Sequence, residues 1–535
     1  MRNDICVNKY YLHEKLVYSE ENTLTLRQKK LLKMKKNVFI SLIMLAASII
    51  SYAQEFSRGA DISWVTEMEA NGRKFHAADG TETDLFAIMK QLGMNAVRLR
   101  VFVDPERFGY GKWCDKTDVM AKAQRAKATG LDIMIDFHYS DFFADPGSQT
   151  APIAWNALTD EEAKEALVSH TTDVLQALKD AGITPKWVQV GNETNSGIAF
   201  PYGKIDWDKN SIYRFTKYVY MSNAGYDAVK DIFPEAKVII HLAGTENAQW
   251  FFPDFIAAGG MADMIGFSHY PTVEEWNSSE ESATCSNVNA EKYVKKAIED
   301  YGLPVMICET GFEVTESALA QEVMIDLFRR MTAIEGCAGI FYWEPETDGV
   351  WKPNYYENLG WNAYIKGAFT TDGRPTIALD AFSGKMEVGQ GYPSSLGIYS
   401  TDYTTLLSTM LPISGTSGIY SARIDITEAW QNFVIYDKEN GTWYGTDPND
   451  KTLISSASDK WNFWIDSEQT GQYDITVDLS SKRWSFSYYA SADAILSENN
   501  EPSQYYDLTG RIVPEPQKGR LYIVKRGAKA VLQRF

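Results

Sequence analysis

The stretch WVQVGNE, residues 187–193, is a short apolar run that ends in an amide and a carboxylate. Seven other runs between Arg58 and Phe382 have the same form, and segments with apolar residues at helical spacing separate them. The other runs are RGADIS (58–63), AVRLRVF (96–102), DIMIDFHYS (132–140), KVIIHLAG (237–244), MIGFSHYP (264–271), PVMICETGF (304–312) and GIFYWEPE (339–346). Eight strands alternating with helices predict an α/β fold, a (β/α)8 TIM barrel. The alternative is an open doubly wound sheet, although no glycine-rich phosphate loop follows any of the runs.

Each predicted strand ends in polar or aromatic residues, and in a barrel these ends meet at one rim where active sites lie. They include the glutamates Glu193, which ends the fourth run, and Glu309 in the seventh. Two carboxylates that face each other across a cleft are the arrangement for cleaving a glycosidic bond. We therefore predict this pair as catalytic. The predicted substrate-binding residues are Asp61, Arg98, Arg100, His138, Asn192, His269, Tyr270 and Trp343.

The order of six motifs resembles the endo-β-1,4-galactanases of glycoside hydrolase family 53 over about residues 56–385. The motifs are DFHYSD (136–141), ADPGSQTAPIAW (144–155), GNE (191–193), SHYP (268–271), ETGF (309–312) and YWEPE (342–346). The resemblance implies a retaining enzyme with Glu193 as acid/base, Glu309 as nucleophile, and Trp343 as the floor on which a galactosyl ring stacks. It also implies the substrate, the β-1,4-galactan or arabinogalactan side chains of pectin.

The remaining site residues are expected to support this pair. Asn192 would hold the sugar 2-hydroxyl, Arg98 or Arg100 would keep Glu309 ionised, and Tyr270 would donate to it. Other interpretations stay open. His138 and His269 are either substrate contacts or ordinary hydrogen-bonded histidines. Asp61 and Asp141 either bind sugar or cap helices and loops, and Trp64 and Trp155 lie either at the cleft or in the core.

Two other functions are compatible with these patterns. One is a related endo-glycanase of the same barrel clan that cleaves β-glucan, mannan or xylan. The other is a non-catalytic glycan-binding protein that keeps the barrel as a binding surface, although the presence of both carboxylates argues against it.

The composition of this chain of 535 residues limits the classes of molecule that it is expected to bind. Its formal net charge of -19 argues against nucleic acid and other polyanions, because the summed field would repel them. Fifteen Trp and thirty Tyr suit flat, neutral ligands such as sugar rings. The five cysteines predict neither a disulfide framework nor a zinc site. No calcium-type acidic series follows YWEPE, so we expect no metal. We also expect no cofactor and a monomer.

Residues 1–53 have the pattern of a leader and signal peptide. Three lysines precede the apolar run Val38 to Ile50, and Ser51-Tyr52-Ala53 fits a cleavage site, with Met34 the expected start. The run is shorter than a membrane span, and no later stretch is long enough for one. The sequence thus predicts an exported protein without a membrane span, located in the periplasm, at the cell surface or outside the cell.

The chain beyond the barrel has a different pattern. We assign residues 54–385 to the catalytic barrel, 386–490 to a small all-β sandwich and 491–535 to a short β-rich tail. The sandwich resembles the repeated domains of surface starch-binding lipoproteins, and five tryptophans could serve it as stacking platforms, of which about half should be core: Trp430, Trp443, Trp461, Trp464 and Trp484. The tail resembles a sorting signal of the type IX secretion kind, or else is a last edge hairpin of the sandwich.

Overall fold

A computed structural model describes residues 56–108, 111–352, 363–386 and 392–489, and four strands between residues 504 and 534. The predicted leader and signal peptide, residues 1–53, lie outside the described residues. Phe56–Phe535 form one compact unit.

Eight parallel strands close into a barrel in the order of the sequence, which confirms the predicted fold and excludes the open sheet. The strands are β1 (Ser57–Asp61), β2 (Ala96–Val101), β3 (Asp132–Phe137), β4 (Trp187–Val190), β5 (Lys237–Ala243), β6 (Met264–Ser268), β7 (Val305–Thr310) and β8 (Cys337–Trp343). β1 closes the barrel by pairing with β8, with Asp61 opposite Trp343. The last residues of first and last strand therefore lie side by side at the rim.

Helices surround the barrel, and local sequence signals set their ends. α4 begins with a capping box in which Thr159 and Glu162 bond each other's backbone, and α3 ends at Gly130 in the left-handed conformation. The helices are α1 (Val65–Ala70), α2 (Leu85–Gln91), α3 (Lys116–Thr129), α4 (Asp160–Asp180), α5 (Ser211–Arg214), α6 (Thr216–Ile232), α7 (Ala248–Ala257), α8 (Asn287–Tyr301) and α9 (Ser317–Thr332).

Several strands end earlier than the sequence predicts. Tyr139, Glu193 and Glu344 have φ values of 48°, 45° and 46°, which lie in the left-handed region that non-glycine residues seldom adopt. The chain therefore leaves the sheet at or before these positions. Such departures cluster at functional sites, where they aim a side chain that a continuing strand would direct elsewhere.

The C-terminal domain is one antiparallel sheet of nine strands that folds over a single apolar core. Phe433 contacts Trp484 at 5.8 Å between ring centroids, although their strands are far apart in the sheet order. The strands are β9 (Leu396–Tyr399), β10 (Leu406–Pro412), β11 (Ile419–Ile426), β12 (Asn432–Asp437), β13 (Thr442–Thr446), β14 (Ile454–Ser455), β15 (Phe463–Trp464), β16 (Gly471–Asp478) and β17 (Arg483–Tyr489). This is the sandwich that the alternating pattern predicts.

The sandwich docks on the barrel through buried polar contacts. Asp380, 1% exposed, accepts hydrogen bonds from the Ser414 hydroxyl at 2.7 Å and the Gly415 N–H at 3.1 Å. Asp372, also 1% exposed, accepts from the Ser421 hydroxyl at 2.8 Å. Ser414, Gly415 and Ser421 of the sandwich thus contact buried carboxylates of the barrel domain within one compact unit.

Four further strands form a small antiparallel sheet at the end of the chain. They are β18 (Gln504–Tyr506), β19 (Ile512–Val513), β20 (Leu521–Arg526) and β21 (Lys529–Arg534). Among the described residues, no helix is both long and apolar enough to span a membrane.

Candidate active site

Arg98 is the centre of the polar cluster inside the barrel mouth. Its side chain is 0% exposed, and its guanidinium forms ion pairs with Asp61 at 2.6 Å, Asp136 at 2.8 Å and Glu309 at 2.9 Å. It also donates to Asn192 Oδ1 at 2.8 Å. One buried cation on β2 thus joins residues from four other strands or strand ends, and the sequence-predicted Asp61, Asn192 and Glu309 meet around it.

Glu309, 5% exposed at the end of β7, has donors on both oxygens. Arg98 pairs with Oε1, and the Tyr270 hydroxyl donates to Oε2 at 2.8 Å. Burial raises the pKa of Glu309, whereas Arg98 and the Tyr270 hydrogen bond act to lower it. Both donors stabilise the carboxylate form, which is the form a nucleophile requires.

Glu193 has a different environment from Glu309. Burial raises the pKa of Glu193 to about 8, and the negative charge of Glu309 raises it further in the same direction. The Ser268 side chain contacts its carboxyl group, and Ser268 pairs with Glu309 across β6 and β7. The surroundings of Glu193 therefore favour its protonated form, whereas the two donors on Glu309 favour its carboxylate form.

His241 connects the surroundings of these two glutamates. Its Nδ1 lies 2.9 Å from Asn192 Oδ1 and its Nε2 lies 3.0 Å from the Ser268 hydroxyl. Burial and the nearby Arg98 lower the pKa of His241 well below its ordinary value, so the imidazole is neutral. Asn192 Nδ2 donates to the Ala144 carbonyl at 2.8 Å. Since an amide nitrogen has two hydrogens, Asn192 can also donate to a bound sugar.

His138 and His269, two predicted binding residues, have hydrogen-bond partners within the protein. His138, 3% exposed, contacts Asp136 through Nε2 at 2.9 Å and accepts the Ala144 N–H through Nδ1 at 2.8 Å. His269, 3% exposed, contacts Asn287 at the start of α8 at 2.9 Å. These contacts match the open interpretation of both as hydrogen-bonded histidines near strand ends.

Arg100 lies beside the Arg98 cluster and forms a second one. Its guanidinium pairs with Glu344 at 2.8 Å and lies 4.4 Å from the Phe143 ring centroid. Burial raises the pKa of Glu344 to about 7, and burial together with the adjacent Glu344 raises the pKa of Glu346 well above its ordinary value. Arg98, rather than Arg100, is therefore the arginine that contacts Glu309.

Trp343 ends β8 at the rim. It is 8% exposed and packs edge-on against Trp64, with ring centroids 5.1 Å apart. Trp64 and Trp155 are 2% and 5% exposed, so both belong to the core.

Asp141 accepts hydrogen bonds from the N–H groups of Asp104 and Ile153, at 2.9 and 2.8 Å, which orders two loops.

Sequence reasoning missed three members of this network. Asp136 and His241 lie within predicted strands, and Ser268 is a small polar residue that seldom signals function. Strand alternation could have found Asp136, because it has the same side-chain direction as the predicted His138 two residues later. In the described part of the chain, no group of His, Cys, Asp and Glu side chains could hold a metal ion. The segment after YWEPE lies partly outside that region.

A TIM barrel with two glutamates of different surroundings at its carboxyl rim is the arrangement of a glycoside hydrolase. A family profile described as glycosyl hydrolase family 53 matches residues 57–382. The chain belongs to this family and is a glycosidase, which confirms the resemblance seen in the motifs. A second profile, for a domain of unknown function, matches residues 394–489.

Individual relatives agree with this placement. An uncharacterised protein of Niallia circulans is 32% identical over 341 residues, which cover 57% of this chain and 89% of that protein. The arabinogalactan endo-beta-1,4-galactanase of Cellvibrio japonicus is 30% identical over 348 residues, covering 58% and 87%. A solved structure from a study of two fungal beta-1,4-galactanases is 25% identical, covers 61% of this chain and 98% of its own, and superposes with a TM-score of 0.52.

Proposed function

We propose that this protein is a secreted, retaining endo-β-1,4-galactanase that hydrolyses the galactan or arabinogalactan side chains of pectin. The observation that carries the proposal is the contrast between the two glutamates. Glu309 has Arg98 and Tyr270 as donors, whereas Glu193 has a pKa raised to about 8 beside it. The names of the relatives from Cellvibrio japonicus and Bacillus subtilis, both endo-beta-1,4-galactanases, support the substrate.

The proposed reaction is a double displacement. The Glu309 carboxylate attacks the anomeric carbon while Glu193 gives its proton to the leaving glycosidic oxygen, which produces a glycosyl ester on Glu309 and a free sugar end. Glu193, now ionised, takes a proton from water. The resulting hydroxide equivalent breaks the ester with a second inversion. Glu309 regains its charge, Glu193 its proton, and the product keeps the β configuration.

Other residues stabilise the charge that develops on the sugar. Asn192 is placed to donate to the 2-hydroxyl, a contact that strengthens as the oxocarbenium-like state forms. Arg98 holds Asn192 and Glu309 together, so the amide and the nucleophile keep one relative position. Trp343 lies at the rim, where its indole ring would contact an apolar sugar face.

A panel of polysaccharides tests the substrate. Linear β-1,4-galactan should be cleaved much faster than xylan, mannan or β-glucan. Preference for one of the other three would replace galactan by a different substrate of the same barrel clan. If Glu193→Gln releases reducing sugar as fast as the wild type does, the assignment of the acid fails.

Proton NMR of the first product tests the stereochemistry. A retaining pair, expected to lie about 5–5.5 Å apart, yields the β-anomer first. An initial α-anomer from β-linked galactan would show that the enzyme inverts.

Export is proposed from the apolar run at residues 38–50 and the cleavage pattern at Ser51-Tyr52-Ala53. Mature protein should begin near Gln54 when its N-terminus is sequenced from the producing cells. Deletion of residues 491–535, the proposed sorting signal, should leave the protein in the periplasm instead of at its final location. If the location does not change after this deletion, residues 491–535 are part of the folded domain and not a sorting signal.

A further inference from the structure

We infer that the sandwich binds the galactan chain in a tryptophan cleft formed by Trp430, Trp461 and Trp464, an inference that rests on the proposed function. The cleft has a volume of about 590 Å³, and Asn432, Lys460 and Asn462 complete its lining. It belongs to the domain of unknown function, far in sequence from the glutamates of the barrel. The ligand it suits is a neutral polysaccharide.

The exposure of these tryptophans is the first observation. Trp430 is 49% and Trp461 55% exposed, whereas Trp484 of the same domain is 8% exposed and packs on Phe463 in the core. Exposed tryptophans are costly in water, and a cluster of them marks a binding surface. The structure thus divides the five sandwich tryptophans between core and surface.

The geometry of the sheet places the rings together. Asn432 and Trp464 are cross-strand partners in β12 and β15, so their side chains lie on one face, while Phe433 and Phe463 fill the core on the other. The Trp461 and Trp464 rings are 6.3 Å apart at 50°. Two rings tilted toward each other can hold successive sugar units of a curved chain rather than one flat ligand.

The backbone under the cleft is fixed before any ligand arrives. Trp461 exchanges two hydrogen bonds with Thr446, at 2.7 and 3.0 Å. Trp430 has a φ of 60°, its N–H donates to the Ser467 carbonyl at 3.1 Å, and its carbonyl accepts from Asn432 Nδ2 at 2.9 Å. A bulky residue in the left-handed region is held there by its surroundings and is typical of a ligand-binding position. A preformed site loses little entropy on binding.

The chemistry of the lining selects the ligand class. Galactose in β-linkage presents a continuous patch of C–H groups on one face, because its 4-hydroxyl is axial, and such a patch stacks on indole rings. Asn432 and Asn462 supply amide groups for the hydroxyls at the edge of the sugar. The net charge of -19 disfavours the acidic backbone of pectin and favours its neutral side chains.

A binding experiment on the full chain tests this inference. Both proteins carry Glu309→Gln, which prevents hydrolysis, and one of them also carries Trp430→Ala and Trp461→Ala. The measurement is how strongly each protein is retarded in a native gel that contains β-1,4-galactan. We expect the double substitution to weaken retention about tenfold, leaving only the binding of the barrel cleft. Trp443→Ala is the matched control, because this half-buried tryptophan stacks on Tyr436 outside the cleft. Unfolding temperatures show whether each variant is folded.

The hydrolytic reaction separates this inference from the proposed function. With Glu309 restored, the double substitution should leave kcat/KM on short galacto-oligosaccharides unchanged and lower the rate on long galactan several-fold, since the second site raises the local polymer concentration. Galactan cleavage with unaltered retention overturns the tryptophan cleft but not the galactanase. No cleavage of galactan overturns the galactanase. Retention by amylose instead of galactan would show that the proposed ligand is wrong. Loss of retention in Trp443→Ala alone would show that the proposed location is wrong.

Discussion

Two glutamates of the same chemistry acquire different protonation because of what lies within hydrogen-bond distance of each. Arg98 and Tyr270 both contact Glu309, whereas Glu193 has the Ser268 hydroxyl and the adjacent charge. In a buried site the second of two close carboxylates ionises only at high pH. The assignment of acid and nucleophile therefore follows from the positions of Arg98 and Tyr270.

Replacement of Glu193 by Gln tests this assignment through pH. The pKa of Glu193 is raised to about 8, so the acid is protonated below that pH, and kcat/KM of the wild type should fall as pH rises through about 8. Glu193→Gln should lose about 100- to 10 000-fold on galactan. On an aryl galactobioside with a good leaving group, which needs no acid, the basic limb should vanish. A basic limb that persists in the variant belongs to another group.

Tyr270→Phe probes the other glutamate. The hydroxyl lowers the pKa of Glu309, so its removal should raise that pKa and move the acidic limb of kcat/KM to higher pH, with kcat reduced about tenfold or more. Tyr213→Phe, which alters a tyrosine that is 67% exposed, is the control. An unmoved acidic limb would mean that Tyr270 only shapes the cleft.

At the scale of elements, the sequence was enough to place eight strands but not their ends. The alternation of apolar runs and helical segments depends on burial, which the residues themselves report. The runs 132–140, 187–193 and 339–346 extend beyond the observed strands because Tyr139, Glu193 and Glu344 leave the sheet in a left-handed conformation. That conformation depends on contacts between strands, and so does which arginine, Arg98 or Arg100, contacts Glu309. Local sequence alone therefore predicts neither the strand ends nor this contact.

The barrel interior gives a test of packing within these elements. Gly266 of β6 faces it, and a methyl group at this position would lie 2.7 Å from both Cys308 Sγ and Ile239 Cγ2. Gly266→Ala should lower the free energy of unfolding by about 1–3 kcal/mol in chemical denaturation. Cys308→Ala in the same chain should recover part of the loss by removing the sulfur. Purely additive effects would contradict this contact.

At the scale of the whole molecule, the sandwich is part of one body with the barrel. Near residue 385 the sequence pattern changes from strands that alternate with helices to strands alone. The buried contacts of Asp372 and Asp380 with the sandwich involve residues that no sequence pattern marks. The described residues of the barrel domain and the sandwich are therefore joined by direct contacts. Deletion of the sandwich would expose both carboxylates and remove the hydrogen bonds that Ser414, Gly415 and Ser421 donate to them.

Asp380→Ala tests how firmly the domains are joined. Its carboxylate also accepts from Gln321 at 2.7 Å and Lys385 at 2.8 Å, so its loss leaves several buried donors unsatisfied. We expect a loss of about 3 kcal/mol or more in the free energy of unfolding. Calorimetry should show a lower unfolding temperature, whereas Asp459→Ala on the exposed surface of the sandwich should change it little. An unchanged temperature in Asp380→Ala would mean that the interface contributes nothing.

The most direct test of the central claim is to trap the covalent intermediate. A 2-deoxy-2-fluoro galactobiosyl fluoride should react with the wild-type enzyme to give a stable adduct. The fluorine at C2 slows both displacements, and the good fluoride leaving group offsets this only in the first, so the glycosyl ester accumulates. Mass spectrometry of peptides should place the added sugar on Glu309, and Glu309→Gln should give no adduct. An adduct on Glu193, Glu344 or another residue, or turnover without any adduct, would contradict the assignment of the nucleophile.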